Sequence, residues 1–238
     1  MTEQTSAVQQ PQSDRGAATR SAAGEVTIHA PPERVWQAIT HAAELERWFP
    51  LEARVQPGAG GRIWMSWRNE FAGDMEILEW DPPRHLRTSW SFGEGEGAQI
   101  TDYQLEGRAG TKTVRVGTSG FALDAWWDGW VEGTVRGWIF ELRSLRHYLE
   151  RHEAQPRHVL YLRRRVPVAR AEAWRRLETD SELGALLRAG DPFDHARASQ
   201  YAAILDDPPA ALLPVSVEPG GPGAEAHEIV VCLSAWGE

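Results

Sequence analysis

Apolar and polar positions first alternate and then change period. Val26 and Ile28 share one face of a short strand, Pro31 and Pro32 stand at a helix start, and Val35, Trp36 and Ile39 follow at helical spacing. "AELERWF" predicts a second short helix that stops at Pro50. Five strand-like runs come next, "RIWMSWR", "GDMEILEW", "HLRTSWSF", "QITDYQLEG" and "KTVRVGTSG", with turns at "DPPR" and "GEGEG". In the third run Leu86, Thr88, Trp90 and Phe92 share one face, opposite His85, Arg87, Ser89 and Ser91. The period then lengthens. Trp127, Val131, Val135, Trp138, Leu142, Leu145 and Leu149 recur at steps of three and four and make one apolar stripe on a long helix. Asp124 is its expected N-cap, Arg146, His147 and Arg151 suit its C-terminal dipole, and Pro156 marks its stop. A stripe that long needs a flat apolar partner, and the meander is the available one. The expected fold is therefore α+β: a curved antiparallel sheet of about six strands wrapped on one long helix.

The same helix carries a second stripe. Gly129, Gly133 and Gly137 are spaced by four on another face, beside Trp126 and Trp130. Each costs about 0.5–1 kcal/mol of helix stability relative to alanine. One expectation is a groove that receives the C-terminal segment or a partner protein chain, with Trp126 as its rim; the other is relief of crowding among the Trp rings.

Beyond Pro156, "VPVARAEAWRRLETDSEL" aligns without a gap under "IHAPPERVWQAITHAAEL", placing Val166 on Ile28, Trp174 on Trp36 and Leu183 on Leu45. "ILDDPPAALL" parallels "ILEWDPPRHL", and "GGPGAEAHEIVVCL" parallels "GEGEGAQITDYQL". Residues 155–238 are thus expected either to be a truncated second copy that lacks its last strand and long helix, or an unrelated α+β extension.

Taken in order, "IHAPPERVWQAIT", "GDMEILEWDPPRHLRTSW", "GTKTVRVGTSGF" and "EGTVRGWIFELRSLRHYLE" resemble the START-like, helix-grip (SRPBCC, polyketide cyclase-like) superfamily, in its bacterial branch similar to the activator of heat shock protein 90 ATPase. The resemblance runs from Glu25 to His152, giving a START-like domain over residues 24–154 and a disordered tail over 1–23. It implies a cavity between sheet and helix, suited to an apolar or aromatic small molecule. With the alternation, that cavity would be lined by Met75, Ile77, Thr88, Trp90 and Tyr103 from the sheet and by Trp127, Trp130 and Val131 from the helix. For each of these, filling the core is the competing role. That branch often has a His before the Ser-Gly pair, where this chain has Thr118, so no role for that His carries over.

Composition narrows the classes. The 238 residues are 42% hydrophobic, enough for a core, and carry a formal charge of −9. No basic block forms a phosphate-tracking stripe, so nucleic acid is not an expected partner. No apolar run reaches membrane-spanning length and the first residues lack a signal-peptide core, which predicts a cytoplasmic protein with no membrane partner. Cys232 is the sole cysteine, so no internal disulfide forms. Glu76 and Glu79 point to opposite faces of a strand, Asp102 and Glu106 are too far apart for a dyad, and His29, His85 and His147 lie on separate elements. No catalytic constellation, metal site or cofactor fingerprint is visible. Three readings stay open: a binder of an apolar or aromatic small molecule without cofactor, a cyclase- or dehydratase-type enzyme using the same cavity, and a co-chaperone-like interaction module.

Overall fold

A computed structural model describes residues 19–68, 72–91, 98–107, 112–123, 127–179, 182–189, 191–192, 200–205, 211–219 and 227–237. The chain opens with β1 (Arg20–Ile28), α1 (Pro32–Thr40) and α2 (Ala42–Leu45). A meander follows: β2 (Glu52–Gln56), β3 (Arg62–Ser66), β4 (Ala72–Asp81), β5 (His85–Ser91), β6 (Ala98–Glu106) and β7 (Lys112–Phe121). These strands form one seven-stranded sheet in the order β1-β7-β6-β5-β4-β3-β2, all neighbours antiparallel. The strand missed by the sequence reading is β2, a five-residue edge strand with only Ala53 and Val55 to mark its alternation. β1 begins four residues before the expected domain start, and its Ala22 is buried. The rest of the expected tail, residues 1–18, lies outside the described residues.

Across this sheet lies α3 (Asp128–Arg151), whose Trp138, Leu142, Leu145 and Leu149 are buried with Val26, Ile28, Val114, Val116 and the α1 residues Val35, Trp36 and Ile39. The helical period therefore reports the buried face correctly. Its N-terminal part behaves differently: Trp127, Val131 and Val135 pack with Ala22 and Phe121 in a separate small cluster. Trp127 occupies the N-cap position; the expected cap Asp124 and the expected rim Trp126 lie outside the described residues. One glycine is set by close approach. A Cβ on Gly24 would lie 3.1 Å from Leu142 Cδ1 and 3.2 Å from Trp138 Cβ, so its absence lets β1 lie tight against α3.

The chain continues as β8 (Arg157–Val166), α4 (Arg170–Thr179), α5 (Glu182–Ala189), β9 (Asp191–Pro192), β10 (Gln200–Leu205), β11 (Ala211–Pro219) and β12 (His227–Trp236). These strands form a second sheet in the order β8-β12-β11-β10-β9. Both sheets put their first strand beside their last and then run backwards through the meander. β12 therefore holds the position that β7 holds in the first sheet, whereas the sequence reading expected the last strand to be missing. No second long helix follows it among the described residues. Ala173 and Trp174 of the α4 helix pack on one face of this sheet against Leu213, Val215 and Val217. The other face turns toward α3: Leu212 and Trp236 join the core of the first domain, and Trp236 Nε1 donates to Arg47 O at 2.8 Å. Consequently α3 is covered on two sides, by the first sheet along its Trp/Leu stripe and by the second sheet near its glycines.

Candidate functional site

The glycine face of α3 and the second sheet do not close on each other. Between them lies a cavity of about 400 Å³. From α3 it is lined by Gly133, Arg136, Gly137, Phe140 and Glu141, which continue the glycine stripe by one more step of four. From β8 every second residue faces it, Arg157, Val159, Tyr161 and Arg163, as the pleat requires. Pro214 and Ser216 of β11 and Val230 and Cys232 of β12 complete that wall, and Phe49, Leu51 and Trp67 close it from the first domain. Phe49 is fixed by stacking on Trp48 at 5.0 Å and by an edge-on contact with Trp67 at 5.1 Å. An apolar enclosure of this size with a few convergent polar groups has the make-up of a small-molecule site.

Those polar groups are unusual. Glu141 is only half-buried as a residue, but its Oε2 has neither solvent contact nor a hydrogen-bond partner. Burial pushes its carboxyl up to about 8, against the opposing charge of Arg157, so the group is mostly protonated at neutral pH. Arg157 Nη2 donates to Phe49 O at 3.0 Å and Pro50 O at 2.8 Å, while its Nε is buried without a partner. Burial lowers the Arg157 pKa, yet a guanidinium stays charged. Arg136 Nη1 lies 2.6 Å from Glu132 Oε1 as an ion pair, in an orientation that gives it no hydrogen bond, and its Nε is also without a partner. Burial pushes the Cys232 thiol up to about 11, so it is not the thiolate a nucleophile needs. No group of three or more His, Cys, Asp and Glu among the described residues is arranged to hold a metal.

None of the eight residues expected at the ligand lines this cavity. Ile77, Thr88 and Tyr103 are buried in the interior of the first domain, with Met75 partly buried against the same core and Trp90 half-buried. Tyr103 meets Trp138 edge-on at 5.6 Å, so core filling is what the inner face does there. Trp127 and Val131 belong to the separate cluster at the start of α3, and Trp130 is 45% exposed. The expected single aromatic box is thus divided among three places.

The glycine stripe does face the C-terminal segment, but across the cavity and without backbone contact. A Cβ on Gly129 or Gly137 would meet nothing within 4 Å, and one on Gly133 only Arg136 Nη2 at 3.9 Å. Gly133→Ala is therefore expected to raise stability by about 0.5–1 kcal/mol in denaturant unfolding. A loss of stability would mean that something packs against that glycine after all. Glu141 and Arg157 were missed by the sequence reading, although a carboxylate that extends a small-residue stripe at the same spacing was the available signal.

His85 and His147, on separate elements, both have side-chain partners. On the outer face of the first sheet His85 Nδ1 lies 2.9 Å from Glu79 Oε1 and Nε2 lies 2.9 Å from Asp102 Oδ1. Burial opposes the charged ring but the two carboxylates prevail and raise its pKa. His147 Nε2 lies 3.3 Å from His152 Nε2 at the junction of the two sheets.

Comparison with known proteins agrees with this architecture. No curated protein matches the sequence significantly. Among solved structures, the Aha1 dimer from Colwellia psychrerythraea is 20% identical, with a TM-score of 0.50 over 57% of this chain and 99% of its own. A protein from Mesorhizobium loti is 24% identical, with a TM-score of 0.49 over 56% of this chain and 99% of its own. DynU16, from the dynemicin biosynthetic locus, is 18% identical, with a TM-score of 0.49 over 90% of this chain and 86% of its own. Residues 29–150 match the model of the family described as activator of Hsp90 ATPase homolog 1-like protein. With its seven-stranded antiparallel sheet, two short helices and one long helix, the chain belongs to that family, within the START-like helix-grip superfamily.

Proposed function

We propose that this is a cytoplasmic binding protein that holds an apolar or aromatic small molecule, without a cofactor, in the cavity between α3 and the second sheet. Residues 155–238 act in this reading as a second START-like copy whose sheet packs on α3 of the first. The observation that carries the reading is the cavity itself, about 400 Å³ in volume, walled by Phe49, Trp67, Phe140 and Val159. Volumes of roughly 300–1,000 Å³ with such walls enclose most of a drug-sized molecule. The inner face of the first sheet offers less, because Trp138 and Tyr103 already occupy it.

N-phenyl-1-naphthylamine, a neutral fluorophore that brightens in apolar surroundings, tests this. The wild-type protein is expected to bind it saturably. Gly137→Trp projects an indole into the cavity and should weaken binding at least tenfold while the far-ultraviolet dichroism is retained. Absence of probe binding by the wild type would overturn the binding function, and undiminished binding by a folded Gly137→Trp variant would overturn its location.

A further inference from the structure

The cavity holds more positive charge than its apolar walls require. Arg163 is answered by Glu228 at 2.7 Å, and Arg136 by Glu132. Arg157 is different: the groups that act on its charge are Glu141 and Cys232, and burial keeps both protonated at neutral pH. Its Nε is buried without a hydrogen-bond partner, and Glu141 Oε2, which lines the same cavity, is buried without one too. Buried polar groups without partners are costly, and a buried cation without a counter-charge more so. A bound molecule that met both needs would recover that cost.

Resting on the binding function above, we propose that the cavity selects aromatic or fused-ring oxyanions, carboxylates or phenolates, whose charged oxygen is held by the unpartnered Arg157 Nε while the unpartnered Glu141 carboxyl donates a hydrogen bond to it. The rings would lie against Phe49, Trp67 and Phe140, and the glycines of α3 provide the room. The overall negative charge of the protein does not oppose this, because exposed charges beyond a Debye length are screened whereas the cavity groups are not.

The geometry has a consequence for pH. An anion beside Glu141 requires that carboxyl to stay protonated, so binding is coupled to uptake of a proton once the free protein has lost it. The other charged or titratable groups facing Glu141 are Arg136 on its own helix, Arg157, Tyr161 and Arg163 from β8, Cys232 from β12 and, from the first sheet, Tyr103, whose hydroxyl burial pushes up. Affinity for an oxyanion is therefore expected to be steady below about pH 7 and to fall above the Glu141 value of about 8.

Displacement of N-phenyl-1-naphthylamine by anthracene-2-carboxylate and by anthracene-2-carboxamide separates the possibilities. The carboxylate is ionised throughout the range used, so its own titration does not enter. It should displace the probe at concentrations at least tenfold lower than the amide at pH 7, and its affinity should drop at least tenfold by pH 9.5. Glu141→Gln keeps a donor but cannot ionise, so its carboxylate affinity should be flat across the same range, which separates Glu141 from Tyr161 and Cys232. If the probe binds and the amide competes as well as the carboxylate, the oxyanion class is overturned while the binding function stands. Preference for the carboxylate with no pH dependence in the wild type, or with the same dependence in Glu141→Gln, overturns the role of Glu141. Failure of the probe itself to bind overturns the underlying binding function.

Discussion

Replacing Trp236 by alanine is expected to cost about 3–5 kcal/mol, the range for removing a large buried aromatic side chain, and to separate the unfolding of the two sheets. Trp236 ends β12, is 8% exposed, and belongs to the core of the first domain although it comes from the second sheet. Its ring stacks on His152 at 4.7 Å with 10° between planes, and its Nε1 donates to Arg47 O. Removing it leaves a void at the junction and a carbonyl without its donor. Denaturant unfolding should change from one transition to two, with the earlier one reporting loss of the second sheet, and probe binding should disappear with that earlier transition. Trp236→Phe keeps the stacking and loses the hydrogen bond, so it should cost only about 1–3 kcal/mol. A single transition with an unchanged midpoint in Trp236→Ala would show that the sheets are held together elsewhere.

Trp138→Ala is expected to have a comparable cost, about 3–5 kcal/mol, for a different reason. Its indole lies inside the helix grip, 8% exposed, edge-on to Tyr103 and tilted against Phe49 at 5.8 Å. Its Nε1 donates to Thr118 Oγ1 at 2.9 Å. Thr118 of β7 is thus the polar partner of a core tryptophan. Thr118→Val keeps the shape but orphans the indole N–H, which should cost about 1–3 kcal/mol. Equilibrium unfolding of both variants and of the double variant measures the coupling. If Thr118→Val is neutral and the double variant is additive, the hydrogen bond contributes nothing.

The first domain was legible because each of its elements buries one face. Leu86 and Thr88 alternate with exposed or partly exposed neighbours, and Trp138, Leu142, Leu145 and Leu149 keep helical spacing, so period and burial coincide. The second sheet was harder because it is covered on both faces. Ala211 to Val217 are all buried, and "ALLPVSV" shows no alternation from which a face could be assigned. The cavity follows from that ambiguity. Its walls come from positions as distant as Phe49, Glu141 and Cys232, and nothing in the local pattern of α3 says which side of a later sheet will meet its glycines. What could be read was that the glycines form a face of their own; that this face ends in a carboxylate became meaningful only once Arg157 stood across from it.

The pairing of first strand with last has a consequence for the order in which the molecule can assemble. Ile28 pairs with Lys112 and Val166 with His227, so neither sheet can be completed until its final strand has been synthesised. Because chains emerge from the N-terminus at about 5–20 residues per second, the first sheet can close on α3 while the second is still being made. During that interval the glycine face of α3 is open to solvent, and the arrival of β12 both finishes the second sheet and brings Val230 and Cys232 to the cavity wall. The cavity thus takes shape only after the first sheet has been able to close on its helix.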